Sequence, residues 1–206
     1  MWVVLDDVQF ARRDYQHRFR VAPLKAPEQE EWLSLRVARP DGLNTAINDV
    51  RLLEPAKCQR RLTQQIKSHY SNSEYWRSFD AQLAGVTSLF DSTDSVAEIA
   101  EYSTVALLRR LGWEGRVVHS SDFAVSHYRS ERLRDLTQAV EASQYICGTG
   151  GASYLDEALF ESVGISVRYF APPDTAHWRY ARRLSGVWEW MAYGPDYLEN
   201  ELKRVR

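Results

Sequence analysis

The sequence predicts an α/β fold: a mixed sheet with a C-terminal parallel β-α-β-α-β unit and a helical middle segment, in a single domain over residues 1–206. Two observations carry this expectation. Between Pro55 and Leu111, apolar residues recur every three or four positions, the period of helices that bury one face. From Arg116 to Phe170, short apolar runs alternate with helical stretches, and strands joined through helices run parallel with right-handed crossovers.

The elements follow in order. Trp2-Val3-Val4-Leu5 is a continuous apolar run that reads as a buried strand. Residues 11–20 are polar without a clear period. Residues 32–37 alternate as a half-buried strand does, Pro40-Asp41-Gly42 marks a turn, and residues 47–52 read as the returning strand. Pro55 suits the first position of a helix that carries Cys58, Leu62 and Ile66 on one face. A second helix starts at Asn72 or Ser73 and presents Trp76, Phe79, Leu83, Val86 and Phe90. Ser95-Val96-Ala97-Glu98 reads as a capping box opening a third helix, which Gly112 stops. Strands at 116–119, 144–147 and 165–170 then alternate with helices at 129–142 and 154–163, and Pro172-Pro173 closes the unit. Residues 185–193 and 196–206 read as two final helices.

A chain of this length buries roughly 70% of its unfolded surface and needs no covalent staples. Its two cysteines, Cys58 and Cys147, do not describe a disulfide framework, so a reducing, cytoplasmic setting is expected. No run of about 18 apolar residues suggests a membrane span, and Met1-Trp2-Val3-Val4-Leu5 lacks the basic start of a signal peptide. A net charge of -2 gives no general attraction to nucleic acid. Neither a metal ligand set nor a cofactor motif stands out.

Two constellations carry candidate chemistry. In a parallel α/β sheet, ligands bind outside the carboxyl ends of the strands. Ser120-Ser121-Asp122 follows one predicted strand and Gly148-Thr149-Gly150-Gly151 follows another. The glycines let backbone N–H groups approach an anion, and the hydroxyls of Ser120, Ser121 and Thr149 add donors. Both loops also fit ordinary turns and helix caps. The second constellation is Asp6-Asp7 with Gln9, followed by Arg12, Arg13, His17, Arg18 and Arg20. Asp6, Asp7 and His17 are candidate acid, base or orienting groups. The guanidinium groups of Arg12, Arg13 and Arg18 suit a phosphate or carboxylate, with Gln9 beside them. The same charges equally describe a solvated loop. Cys147 reads better as a small core residue than as a nucleophile, since nothing in the sequence brings His69, His119, His127 or His177 to it.

Leu5-Asp6-Asp7-Val8-Gln9-Phe10, then Arg12-Arg13 and Gln16-His17-Arg18-Phe19-Arg20-Val21, resembles the opening signature of the WbqC-like family. Trp32-Leu33-Ser34-Leu35, the stretch from Ile66 to Trp76, Ser120-Ser121-Asp122, residues 145–155 and Leu184-Ser185 up to Gly194 are similar to its later motifs. This resemblance adds Tyr154 and Ser185 to the substrate-binding candidates. The chain departs from the family's pattern at four places. The early His-Gln-Pro segment is absent. His17 stands where Asn is usual, Cys147 where Ser is usual, and Trp188 where Asp is usual.

The resemblance implies a bacterial biosynthetic transferase that moves an acyl or aminoacyl group in O-antigen glycan or natural-product assembly. Its substrate is expected to be small and anionic or carrier-linked, with an acyl carrier protein as partner and neither nucleic acid nor membrane involved. Two alternatives stand beside it: a non-catalytic accessory or carrier-protein-binding protein of the same pathway, and a nucleotide-dependent ligase or nucleotidyltransferase.

Overall fold

The structure, a computed structural model, describes residues 1–148, 150–171, 178–181 and 183–204. It is a mixed α/β arrangement divided into two compact units. Met1–Leu5 and Gly115–Asp174 form a strand unit, and Asp6–Glu114 and Thr175–Arg206 form a helical unit.

In the strand unit, β1 (Trp2–Val4) pairs in parallel with β6 (Val117–His119). β1 is only half-buried, against the expectation of full burial. α4 (Arg129–Ala139) and β7 (Gln144–Gly148) follow, then α5 (Glu157–Glu161) and β8 (Ser166–Phe170). β7 and β8 pair in parallel through a helical connection, as expected of a crossover. α5 is shorter than the predicted 154–163. Residues Gly151–Ser153 form a 3-10 turn, and Asp156 caps the helix by accepting from Ala158 N at 3.2 Å. Pro172 and Pro173 lie outside the described residues.

In the helical unit, β2 (Arg18–Val21) pairs antiparallel with β3 (Glu31–Ser34), and β4 (Val37–Ala38) with β5 (Arg51–Leu52). β2 begins within residues 11–20, the stretch where no period was expected, and ends just beyond it. Its alternation is present but carried by arginines, with Arg18 and Arg20 on one face and Phe19 and Val21 on the other. The predicted strand 47–52 shortens because Ile47–Asp49 turns as a 3-10 segment. α1 (Pro55–Tyr70), α2 (Trp76–Ser88) and α3 (Val96–Arg110) follow the sequence period closely. α1 buries Cys58, Leu62, Ile66 and Tyr70, one residue per turn. α3 opens where Ser95 Oγ accepts from Glu98 N at 3.3 Å, and Gly112, with φ 77°, lets the chain leave it. α6 (Gly186–Tyr193) and α7 (Pro195–Arg204) complete the unit. No helix among the described residues is long and apolar enough to cross a membrane.

The core of this unit joins the β2–β3 hairpin to the helices. Val21, Leu33, Tyr70, Trp190 and Met191 are almost wholly inaccessible. Trp190 meets Phe79 edge-on at 5.6 Å and donates its indole N–H to Ser78 Oγ at 3.2 Å. Tyr70 Oη accepts from the buried Ala22 N–H at 3.3 Å, tying α1 to the hairpin. Tyr70→Phe leaves that N–H without its partner and is expected to cost about 1–3 kcal/mol. Urea denaturation measures this, and an unchanged midpoint would show that the bond contributes nothing.

Candidate functional site

The sequence-predicted site residues divide between the two units. Asp6, Asp7, Gln9, Arg12, Arg13, His17, Arg18 and Ser185 belong to the helical unit. Ser120, Ser121, Gly148, Gly150, Gly151 and Tyr154 belong to the strand unit. Thr149 and His177 lie outside the described residues.

In the helical unit, the loop that delivers His17 is held by Arg18. Its guanidinium stacks 3.9 Å from the centroid of the Trp32 ring. Its Nε donates to Asp14 O at 3.1 Å, and its Nη2 donates to Arg13 O. Arg20 covers the same ring at 4.5 Å and pairs with Glu30 at 2.9 Å. Tyr15 packs against Trp32 at 5.4 Å. Trp32 is therefore a platform on which the loop's backbone is fastened through cationic side chains.

His17 is 9% exposed, with its ring 5.2 Å from Phe10. Its backbone carbonyl accepts from Leu35 N at 2.9 Å, while its Nδ1 is buried with no hydrogen-bond partner among the described residues. Burial, reinforced by the positive charges of Arg18 and Arg12, lowers its pKa below the ordinary 6.5. The imidazole is therefore neutral at pH 7, as a proton acceptor must be.

His17, Arg18 and Leu35 line two cavities at once. One, of about 400 Å³, is also bordered by Arg12, Arg36 and Arg39. Arg36 is paired with Glu54 at 2.7 Å, whereas Arg12 and Arg39 have no carboxylate partner among the described residues. The other, of about 280 Å³, is walled largely by apolar residues of α1, α2 and α3 and by Gln16, His17, Ser185 and Gly186. Gln16 Oε1 and Ser185 Oγ are buried without partners, like His17 Nδ1. Ser185 precedes α6 but makes no side-chain cap, and its N–H donates to Arg20 O at 3.0 Å. The fold thus brings His17, Arg18 and Ser185, distant in the chain, to one cavity.

Asp6 is 7% exposed; its Oδ2 lies 3.5 Å from Asn48 Nδ2 and its carbonyl accepts from Asn48 N at 2.8 Å. Asp7 is half-buried. Gln9 Nε2 donates to Leu43 O at 2.6 Å, and Arg13 is exposed. None of these four lines either cavity.

In the strand unit, Ser120 is fully buried and Ser121 exposed, with His119 Nδ1 3.7 Å from Asp122 Oδ2. Gly148 and Gly150 are exposed, with open space where a Cβ would stand. Gly151 has a structural demand of its own, since a Cβ there would lie 2.2 Å from Cys147 Sγ. The Cys147 thiol is buried and donates to Gly148 O at 3.3 Å. Tyr145 stacks on Phe160 at 5.2 Å, and burial first, then Cys147, pushes its pKa up to about 12. Tyr154 is 54% exposed.

Sequence reasoning passed over Gln16, Arg36, Arg39, Gly186 and Glu189. Glu189 is 7% exposed, has no hydrogen-bond partner for either carboxyl oxygen among the described residues, and its pKa is pushed up to about 7 by burial. A carboxylate between Trp188 and Trp190 was the available signal.

The uncharacterized protein Rv1507c of Mycobacterium tuberculosis is 24% identical over 200 residues, covering 91% of this chain and 78% of that protein. No solved structure matches. The WbqC-like protein family matches residues 1–190, and the chain belongs to that family.

Proposed function

We propose that the chain is a biosynthetic transferase, moving an acyl or aminoacyl group from a phosphate-bearing thioester onto an amine or hydroxyl in glycan or natural-product assembly. The observation that carries this reading is His17, buried and neutral at the divide between an arginine-lined pocket and an apolar cavity. Arg12 and Arg39 hold the phosphate of the donor's arm, on coenzyme A or an acyl carrier protein. Asp6 orients the chain through Asn48. In the strand unit, β6, α4, β7, α5 and β8 are read as one parallel unit, with Ser121 and the exposed Gly148 and Gly150 as an anion-binding loop.

The step needs only the two substrates. The acceptor's nitrogen or oxygen attacks the thioester carbonyl carbon as His17 Nδ1 takes its proton. Negative charge moves to the carbonyl oxygen, facing the Ser185 hydroxyl and the N–H groups of Gly186 and Val187, which as the first turn of α6 have no intrahelical acceptor. When the tetrahedral species collapses, the C–S bond breaks and the imidazolium returns the proton to sulfur. The products are an amide or ester and a free thiol.

Acyl-coenzyme A and acyl-carrier thioesters, offered with an amino-sugar nucleotide, are expected to release thiol that a thiol reagent reads. Arg12→Ala combined with Arg39→Ala is expected to raise KM for the coenzyme A donor about tenfold or more with kcat little changed, since charge-assisted hydrogen bonds contribute about 1.5–3 kcal/mol each. Thiol release from none of the donors would end the reading.

A further inference from the structure

Protein interiors pack at crystal density and leave few voids larger than a water molecule. The 280 Å³ cavity in the helical unit is an exception that lies among Leu62, Ile66, Leu83, Phe90 and Ile99. Its polar groups are unevenly supplied. On α3, the hydroxyls of Ser103 and Thr104 both donate to Ala100 O at 2.8 Å, so neither has its proton left to donate to a ligand. Among the described residues, Gln16 Oε1, His17 Nδ1 and Ser185 Oγ are the buried lining atoms left without partners. All three sit where β2 meets the start of α6, joined by the Ser185 N–H to Arg20 O bond. One polar end and an apolar body describe an amphiphile with a single small head. His17, 91% buried by its 9% exposure, supplies an unfilled hydrogen-bond site at that head.

We propose that this cavity takes a medium-length acyl chain, with its carbonyl end at Gln16, His17 and Ser185 and its methylenes among α1, α2 and α3. The inference rests on the transferase reading and names the group transferred. With a methylene taken as the size of a liquid water, about 30 Å³, the volume accommodates on the order of eight carbons. A two-carbon group leaves most of the cavity unfilled, and a palmitoyl chain exceeds it. Gly186 limits the width beside Leu107. A Cβ at Gly186 would lie 2.8 Å from Leu107 Cδ2, so any side chain there presses Leu107 inward.

Binding tests this without turnover. Octanoate, acetate and palmitate are titrated into the full chain while tryptophan fluorescence is followed, since Trp190 lines the cavity. Octanoate is expected to bind at least about tenfold more tightly than the other two and to raise the melting temperature, as a ligand of the native state does. Ser103→Leu and Gly186→Val fill the cavity from different elements. Each is expected to weaken octanoate binding about tenfold. Equal affinity for the three acids, or unchanged octanoate binding in both folded variants, would overturn the proposal. The two readings fail separately. Octanoate binding without thiol release from any thioester removes the transferase and leaves the ligand. Acetyl transfer by a chain that does not bind octanoate removes the acyl-chain site and leaves the transferase.

Discussion

Replacing His17 with asparagine is expected to lower kcat by about 10²–10⁴-fold, the contribution of a positioned general base. Asparagine keeps a hydrogen-bonding side chain at the divide between the two cavities but cannot accept a proton. KM and the melting temperature are expected to stay close to those of the parent chain. The pH profile gives a second readout. Because burial and the charges of Arg18 and Arg12 lower the His17 pKa, the acid limb of kcat/KM falls below pH 6.5. The same shift bears on stability. Between the folded value and 6.5 the unfolded chain binds the proton and the folded chain does not, so stability rises with pH across that window and is flat above it. An asparagine variant with parental kcat, or an acid limb above 6.5, would remove His17 from the chemistry.

Glu189→Gln is expected to stabilise the chain at pH 8 by about 3 kcal/mol, the gap between the ordinary 4.5 and about 7 converted at 1.36 kcal/mol per unit. Below pH 4.5 the carboxyl is protonated in both states and contributes nothing to the slope. Between 4.5 and about 7 the unfolded chain ionises while the folded chain keeps the proton, so stability falls as pH rises. Above 7 the folded state carries a buried charge with no hydrogen-bond partner among the described residues. Glutamine matches the shape and removes that ionisation. Urea denaturation at pH 5 and pH 8 tests this. The two proteins should nearly coincide at pH 5 and separate at pH 8. Equal displacement at both pH values would mean that Glu189 does not titrate inside the fold.

What the sequence made legible follows from how local each signal is. The helices α1 to α3 could be read because their periods lie within single segments; Cys58, Leu62 and Ile66 report one face without reference to anything distant. The β2 strand was hidden because its polar alternates are Arg18 and Arg20. Their partner is Trp32 across the hairpin, and a lone sequence does not reveal that they share one ring. The cavity had no sequence signal at all. A void is a shortfall of packing among six separate segments, and its helical walls by themselves look like ordinary core. Ser185 was reached only through its family motif. The basic run drew notice as a whole, but Arg36 and Arg39, which border the same pocket, lie beyond β3 and outside that run.

The strand unit draws on both sides of a long interval, because β1 at Trp2–Val4 finds its partner only at Val117–His119. On the ribosome, at about 5–20 residues per second, the first of these segments waits on the order of ten seconds for the second. Meanwhile the whole of Asp6–Glu114 is synthesised and begins to collapse. Over that time Trp2–Val4 is without its β6 partner, and an unpaired strand edge is a template for any passing strand. Slower translation ahead of residue 117 should therefore increase aggregation more than the same delay placed after residue 119.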